Sequence, residues 1–491
     1  MERRVVVGGA AGAAGAAALT LAPVRFAGAG GRARETRTLR GRLAPGAPDF
    51  VYLPVEVPRG VREIAVSYTY DKPEVPPGTP GNALDIGVFD ERGTALPGRG
   101  FRGWSGGFRD AFAISAERAT PGYLAGPVRA GTWHVVLGPY TVAPQGLAYE
   151  VTVTLRYGTP GRTREPVYPP ERARGRGRAW YRGDGHLHTV HSDGRRTPAE
   201  VAAAARAAGL DFIVSTEHNT TSAHGAWEGL WGDDLLVLCG EEVTTRNGHY
   251  LAVGTDPGTF VDWRYRARDD AYGGFARRVH RAGGLVVPAH PHCPYVGCQW
   301  KFGYAGADAV EVWNGPWTDD DELAVAGWDS RLVADGAHGW LPAVGNSDAH
   351  SEPQVVGLPQ TVVHADDLSR RAVLDALRAG RSYLAESSAV SVRLTASDER
   401  GRHAGIGERL RTRSTSSVTV RLEVTGAPPG ATARLLTDQG ELRAGPAGTL
   451  EWRTTASLAT CVRAEVRHPG TGGGRPGAMV ALTNPVWLEA D

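Results

Sequence analysis

Metal-binding side chains are concentrated in one short stretch of this chain. "GDGHLHTVHSDG", residues 183–194, holds three histidines and two aspartates. Side chains two residues apart on a strand point to the same side, so His186 and His188 can offer two ligands to one ion. Neutral imidazole and carboxylate together suit Zn, Mn or Fe. The stretch predicts a divalent metal site.

Further histidines and carboxylates stand at the ends of apolar runs along the same region. Eleven of the fifteen histidines fall between His186 and His350. One catalytic zinc needs three protein ligands, so a larger set favours two or three ions. The nine candidate ligands are His186, His188, Asp193, His218, Glu242, His249, His290, Asp348 and His350.

The segment around these candidates alternates short apolar runs with helical stretches. Runs such as "DFIVST", "DLLVLCG" and "GLVVPAH" are typical of buried parallel strands. Just before the first of these runs, "TPAEVAAAARAAG" predicts a helix with Thr197 as its cap, Glu200 completing a capping box and Gly209 at its end. Residues 181–385 are therefore predicted to form an α/β barrel or an open α/β sheet.

The flanking segments have a different pattern. Residues 35–158 and 388–491 contain short alternating runs separated by turn residues, which predicts an antiparallel β-sandwich before the α/β segment and a second, smaller β-domain after it. Residues 159–180 are rich in Pro, Gly and Arg and predict a linker over the surface, although the Arg run could attract anions. We expect a multidomain α/β plus all-β protein.

Composition sets limits on the classes of protein. The 491 residues are enough for two to four domains, and 41% hydrophobic residues, 22% charged residues and a net charge of +1 indicate neither disorder nor a nucleic-acid partner. The four cysteines include no C-x-x-C pair, which argues against a thiolate zinc site. Cys293 and Cys298 flank "PYVG" and predict either a local disulfide or two free buried thiols.

The first thirty residues have the composition of a targeting segment. Arg3 and Arg4 precede a weakly hydrophobic Ala/Gly/Val run, and Ala27-x-Ala29 offers a small-residue cleavage site. Residues 1–30 resemble a twin-arginine export signal. A membrane anchor is the weaker alternative, because Gly and Ala contribute little insertion energy. We expect an exported protein with no membrane span after signal removal.

Six motifs in order carry a family resemblance: "HLHTVHSDG", "STEHN", "GEEVTT" followed by "GHY", "AHP", "VEVWN" and "GNSDAH". They resemble the PHP (polymerase and histidinol phosphatase) metal-dependent hydrolases, and best the exported CehA/McbA-like branch, which includes carbaryl-hydrolase-like proteins. The resemblance implies a central distorted (β/α)7 barrel with metals at the carboxyl ends of its strands, flanked by the N-terminal β-sandwich and a C-terminal β-sandwich-like domain.

The resemblance also implies how the candidates divide among the ions. Glu242, in the family's G-x-E position, would bridge two ions, with Glu241 as the alternative register. Glu242, Asp348 and His290 are the ligands assigned to catalysis. The implied groups are His186, His188, Glu242 and Asp348 for one ion, Glu242, His249 and His290 for a second, and Asp193, His218 and His350 for a third.

Several neighbours of the motifs are secondary candidates. Those for substrate contact or for orienting ligands are Asp184, Glu217, His292 and Asn314. Glu217 stands where many relatives have Asp, and Gly185 replaces an apolar residue. His191 and His224 could equally be exposed to solvent.

No serine elbow or Cys/His pair is apparent, so water is the expected nucleophile. Bound metal lowers the pKa of water from 15.7 to roughly 7, and a hydroxide bridging two ions is the predicted attacking group. A phosphoesterase is the first hypothesis, and a carbamate, ester or amide hydrolase on the same metals is the second. A third, of another class, is a surface-binding protein with an inactive barrel. The partner is a small-molecule or ester substrate, and the oligomeric state is open.

Overall fold

The computed structural model describes residues 33–470 and 476–491. The predicted export signal lies outside these residues. In the described ranges the chain is mostly β, with four α-helices. None of those helices is long and apolar enough to cross a membrane.

Two four-stranded antiparallel sheets, β1-β8-β3-β6 and β2-β7-β4-β5, begin the molecule. Alternation along the strands builds the core between them, since Val151, Val153 and Leu155 are buried against side chains of the second sheet such as Val135 and Leu137. The strands are β1 (Arg34–Leu43), β2 (Val51–Val57), β3 (Val61–Tyr70), β4 (Ala83–Phe89), β5 (Phe101–Gly106), β6 (Ala111–Ser115), β7 (Gly131–Thr141) and β8 (Leu147–Tyr157).

A segment without helix or strand then connects β8 to the next sheet. It is largely exposed and includes most of the predicted linker. Arg176 fastens it to Asp211 and Arg172 fastens it to Asp367, with ion pairs of 2.6 and 2.7 Å. The linker's arginines thus contact the surface of the following unit.

The following unit carries most of the candidate ligands. Its strands run in the order β13-β12-β11-β10-β9-β16-β17, while β14 and β15 form a separate parallel pair. The elements are β9 (Ala179–Asp184), α1 (Pro198–Ala207), β10 (Phe212–Ser215), β11 (Leu236–Thr245), β12 (Gly248–Val253), α2 (Tyr272–Arg281), β13 (Leu285–Pro288), β14 (Val310–Asn314), α3 (Asp319–Gly339), β15 (Ala343–Asn346), β16 (Gln360–Ala365), α4 (Arg370–Arg378) and β17 (Ser382–Ala385). A short 3-10 helix, Ala267–Asp269, precedes α2.

The capping prediction for α1 is confirmed. The Thr197 side chain accepts a hydrogen bond from the Glu200 backbone N–H, and the Glu200 carboxylate accepts from the Thr197 backbone N–H. These contacts satisfy donors that the first helical turn leaves free. The loop that leads into this helix carries Asp193.

Seven repeating β/α units, as predicted for the barrel, are not shown. β9, β10 and β11 are parallel, but β11–β12, β12–β13 and β16–β17 are antiparallel pairs. Arg246 and Asn247 form the two-residue turn between β11 and β12, and Gly248, which follows it and pairs with Thr245, has a φ of 112° that favours glycine. A β-hairpin therefore joins β11 and β12, whereas the alternating pattern predicts a helical crossover between them.

The C-terminal strands extend the same sheet. β17 pairs with β26, with Tyr383 opposite Thr483, so hydrogen bonding crosses the predicted boundary at residues 385–388. A second sheet, β19-β18-β21-β24, packs over a shared apolar core. The strands are β18 (Ser391–Asp398), β19 (His403–Gly405), β20 (Arg409–Thr412), β21 (Val418–Thr425), β22 (Thr432–Thr437), β23 (Gly440–Pro446), β24 (Thr449–Thr454), β25 (Cys461–Arg467), β26 (Met479–Thr483) and β27 (Val486–Ala490).

Of the two alternatives predicted for Cys293 and Cys298, the structure has the local disulfide. Cys293 and Cys298 form a disulfide, while Cys239 and Cys461 are buried free thiols. The disulfide closes a small loop directly after His290.

Candidate metal centre

All nine predicted ligands converge at one end of the strands of the central unit. The parallel strands β9 and β10 end just before His186 and His218, and β15 ends just before Asp348. Glu242 lies on β11 and His249 at the start of β12, the strand that returns from it. His290 follows β13. The strand ends thus place residues distant in sequence around one centre.

The first group of candidate ligands surrounds Asp348. Its Oδ1 lies 2.9 Å from His188 Nε2 and 3.2 Å from His186 Nε2. Oε2 of Glu242 lies 3.2 and 3.3 Å from the same two nitrogens. The four ligand atoms lie within 4.8 Å of one another and could hold one ion.

Glu242 also faces a second group. Its other oxygen, Oε1, lies 2.9 Å from His249 Nδ1 and 3.2 Å from His290 Nε2. Cys298 Sγ lies 3.4 Å from His290 Nδ1, but its sulfur is in the disulfide and offers no thiolate. The two oxygens of one carboxylate therefore face two sets of histidines.

The third group surrounds Asp193. Its Oδ1 lies 3.2 Å from His350 Nε2, 3.5 Å from His218 Nε2 and 3.9 Å from His188 Nδ1. These four side chains also meet the distance limits for one ion. His188 borders both this group and the first.

Unpartnered polar atoms test whether the site fits metal ions. A buried polar atom without a hydrogen bond costs free energy, and such atoms are few in native proteins. Within the described residues, six buried atoms of this centre make no hydrogen bond, although several lie close to one another: His186 Nε2, His188 Nε2, Asp193 Oδ1, Glu242 Oε2, His249 Nε2 and Asp348 Oδ1. This set of nitrogen and oxygen donors fits divalent cations.

The electrostatics of the centre show how tightly these groups interact. Burial alone would raise the pKa of Glu242, but His218, His186 and His249 outweigh it and hold the pKa well below its usual value. Burial would lower the pKa of His218, but Glu242 and Asp193 raise it to about 10. The carboxylates and imidazoles stabilise one another's charged forms.

Glu311 is a buried carboxylate of the centre that was not among the sequence candidates. It lies on β14, with Oε1 3.2 Å from His186 Nδ1. Oε1 also accepts from Asn346 Nδ2 at 2.9 Å, and Oε2 accepts from the His290 backbone N–H at 2.9 Å. Its signal was a lone carboxylate inside the apolar run "AVEVWN", since buried Glu is rare unless paired. Glu311 orients ligands of two groups.

Asp184 and Glu217 hold backbone near the ligands. Asp184 accepts from the backbone N–H groups of Ser347 at 3.1 Å and Gly357 at 2.8 Å, and burial raises its pKa to about 6. Glu217 accepts from the Thr189 backbone N–H at 3.1 Å. Both carboxylates therefore fix loops that carry ligands.

The remaining candidates lie in different surroundings. Asn314 Nδ2 donates to Asp348 Oδ2 at 3.3 Å. His292 is half-buried beside Gly327, and the described contacts do not link it to the centre. His191 Nδ1 lies 2.9 Å from Ser222 Oγ, and burial lowers its pKa. His224 is fully enclosed and has both ring nitrogens in hydrogen bonds to the backbone.

The register of β11 separates the two adjacent glutamates. Glu242 faces the histidines, whereas Glu241 Oε2 accepts from the Val261 backbone N–H at 2.8 Å on the other side of the strand. Burial raises the pKa of Glu241 well above its usual value. The structure thus places Glu242, and not Glu241, in the centre.

Two ligands have unusual backbone conformations. His290 has a φ of 27° and Asp348 a φ of 48°, in a region that favours glycine. Such strain persists when surrounding contacts fix it, and it is common at functional sites. Here Glu311 binds the His290 N–H, and Asn314 binds the Asp348 carboxylate.

Comparisons with known proteins give one family match and remote structural likenesses. Residues 339–382 match a model described as PHP-associated. A two-domain Bacteroides vulgatus protein containing a predicted PHP-like metal-dependent phosphoesterase is 16% identical, with 66% of this chain and 100% of the other covered and a TM-score of 0.35. An amidohydrolase from Chromobacterium violaceum is 20% identical, with 36% and 89% covered and a TM-score of 0.26. No curated protein matches the chain.

Proposed function

We propose that this chain is an exported metal-dependent hydrolase of the PHP family, from its CehA/McbA-like branch, and that it cleaves phosphate esters. The observation that carries the hydrolase proposal is the centre itself, where buried, unpartnered ligand atoms face one another and Glu242 directs one oxygen to each of two histidine sets. A carboxylate between two such sets is suited to a multinuclear site.

The chain's own residues hold and orient this centre. Bound divalent ions would supply Lewis acidity and lower the pKa of a coordinated water towards 7. Glu311 fixes the ring of His186 through Nδ1, leaving Nε2 directed at Asp348 and Glu242. Ser192 Oγ lies 3.2 Å from His188 Nδ1 and has the same role for that ring. Such outer contacts set ring orientation and ligand basicity.

Charge favours an anionic substrate. Three divalent ions against the four carboxylates of the centre, Asp193, Glu242, Glu311 and Asp348, leave about two positive charges, which suits a phosphate ester. Two ions would leave the centre close to neutral, and a neutral ester, carbamate or amide would then be acceptable. The number of ions therefore bears on the substrate class.

Metal analysis and a substrate screen test the proposal together. Purified protein is analysed for bound metals and assayed with p-nitrophenyl phosphate, bis-p-nitrophenyl phosphate and a 1-naphthyl carbamate. We expect two or three ions per chain and turnover of a phosphate ester that a chelator abolishes. Turnover of the carbamate alone would overturn the phosphoesterase assignment, and metal-loaded protein inactive on all three would argue against a hydrolase of these ester classes.

Glu242→Gln tests the bridge, with Glu241→Gln as the matched control. Removing the charge of Glu242 leaves the His249 and His290 set without its carboxylate and the His186 and His188 set with Asp348 alone. We therefore expect metal loss at more than one position and roughly a hundredfold or greater loss of turnover. Glu241→Gln should retain metal because Glu241 faces Val261. Metal content and turnover of both variants are measured, and damage confined to Glu241→Gln would show that the functional register is wrong.

A further inference from the structure

A cavity of about 210 Å³ opens beside the metal centre. His218 and His249 line one end of it, and the opposite wall comes from the N-terminal sandwich, with Trp104 of β5 and Asp85 of β4. The N-terminal sandwich is therefore part of the site, and a substrate bound at the ligands would also touch it.

Aromatic rings from both units form the walls of this cavity. The ring centroids of Trp104 and Trp263 are 4.8 Å apart, and Phe50 lies 6.1 Å from each. A cavity of about 150 Å³ holds a benzene molecule, whereas sites for larger ligands begin near 300 Å³. The space thus suits one substituted aromatic ring.

Two charged side chains, Arg246 and Asp85, also line the cavity, and each influences the pKa of the other. The Arg246 guanidinium carbon lies 4.1 Å from the centre of the Tyr140 ring. Tyr140 is itself held by a 2.5 Å hydrogen bond to the Val296 carbonyl in the disulfide loop. Over the described ranges, neither Arg246 nor Asp85 has an ion pair or side-chain hydrogen bond. A donor and an acceptor are therefore free to bind a ligand.

We infer that this cavity binds the leaving group of the substrate, and that the leaving group is a single aromatic ring with a neutral edge carrying a hydrogen-bond acceptor for Arg246 and a donor for Asp85. This inference rests on the proposed hydrolase function and adds the substrate class. It excludes two neighbouring classes. A bare hydrocarbon ring offers no hydrogen bond to either side chain. A carboxylate on the ring would pair with Arg246 but would repel Asp85 and offer it no donor.

Two opposing effects act on the pKa of Asp85. Burial raises the pKa to about 6, while the positive charge of Arg246 lowers it. At pH 8 the carboxylate is ionised and accepts a hydrogen bond, while Arg246 donates one. A primary amide on the ring supplies both complementary groups.

Paired substrates test the inference on the full metal-loaded chain. The value of kcat/KM is measured at pH 8 for phenyl, 4-carbamoylphenyl and 4-carboxyphenyl phosphate. We expect the carbamoyl ester to exceed phenyl phosphate by at least about tenfold, which corresponds to one net hydrogen bond. The carboxy ester should show no such gain.

Variants separate recognition from catalysis. Arg246→Met and Asp85→Leu should each reduce the carbamoyl-to-phenyl ratio towards one. Arg268→Met is the matched control, because that arginine lies nearby in sequence with a 78% exposed side chain. The control should keep the wild-type ratio. A ratio near one in the wild type, or a ratio unchanged in both cavity variants, would overturn the inference.

Binding of the free leaving groups distinguishes this inference from the proposed hydrolysis. Calorimetry compares 4-hydroxybenzamide with phenol on the same protein. Tighter binding of the benzamide without hydrolysis of any ester would overturn the hydrolase and retain the recognition site. Hydrolysis with equal binding of the two phenols would overturn the recognition site alone, and absence of both would overturn both.

Discussion

Glu311 shows that ligand orientation depends on residues outside the ligand set. Glu311→Gln keeps the shape of the side chain but weakens its contact with His186 Nδ1. We expect metal affinity to fall about 10–100-fold, as is usual for outer-shell partners of metal ligands. Titration with a metal chelator measures the affinity. Glu322→Gln is the control, because Glu322 lies outside the centre and pairs with Arg467. Unchanged affinity in Glu311→Gln would contradict the role.

His224 is expected to make the protein sensitive to acid. Its Nε2–H donates to the Gly240 carbonyl, and its Nδ1 accepts from the Gly258 N–H, so only the neutral ring satisfies both bonds. Burial lowers its pKa to about 4 from 6.5. The folded state therefore loses about 3 kcal/mol of stability from this group as the pH falls from 6.5 to 4.

Denaturant unfolding at several pH values measures this effect. His224→Gln should be less stable than the wild type at pH 7 but should lose less further stability between pH 6.5 and 4. His403→Gln, at an exposed position, should keep the wild-type pH dependence. Parallel pH profiles for the wild type and His224→Gln would contradict the assignment.

The candidate ligands of the centre could be predicted from the sequence, whereas the residues that orient them or line the cavity could not. Imidazoles and carboxylates after apolar runs had to meet if those runs formed neighbouring strands, and His186, Glu242 and Asp348 do meet. Glu311 could not be distinguished from an ordinary strand residue without its neighbours. Asp85 and Arg246 are 161 positions apart, and no local pattern relates a sandwich strand to a hairpin.

At the scale of elements, the hairpin between β11 and β12 explains why the alternating pattern overestimated the helix content. Asn-Gly between apolar runs is a strong signal for a tight turn. Here it lies inside "TTRNGHYL", where the histidine directs attention to metal binding. Periodicity identifies a buried strand but gives no direction for its partner, so parallel and antiparallel neighbours look alike.

Removing the Cys293–Cys298 disulfide is expected to lower the stability of the fold and to loosen the loop that contacts Tyr140 at the cavity. Closing so short a loop contributes about 2 kcal/mol in the chain-entropy view, and the loop carries the carbonyl that binds Tyr140. Cys293→Ala/Cys298→Ala should therefore unfold at lower denaturant concentration. Adding a thiol reductant should destabilise the wild type and leave the double variant unchanged. An equal response of the two proteins would contradict the prediction.

At the scale of the whole molecule, the proposed export follows from residues outside the described ranges. Twin-arginine signals carry folded proteins, which allows metal loading inside the cell before translocation. Replacing Arg3 and Arg4 with Lys should leave precursor in the cytoplasm, measured by fractionation and immunoblotting. The full-length chain with Arg32→Lys, a change just after the predicted signal, is the control and should be exported normally. Normal export of the double variant would reject the twin-arginine assignment.

The pairing of β17 with β26 constrains the order in which the protein can fold. β17 ends at Ala385 and β26 begins at Met479, so roughly ninety further residues are synthesised before β17 meets this partner. Asn484, just after β26, donates to the Ser382 carbonyl at 3.0 Å and accepts from the Ala343 N–H at 2.8 Å. During translation the nascent sheet therefore has an open edge at β17, which makes that interval the one in which chaperones or aggregation compete for the chain.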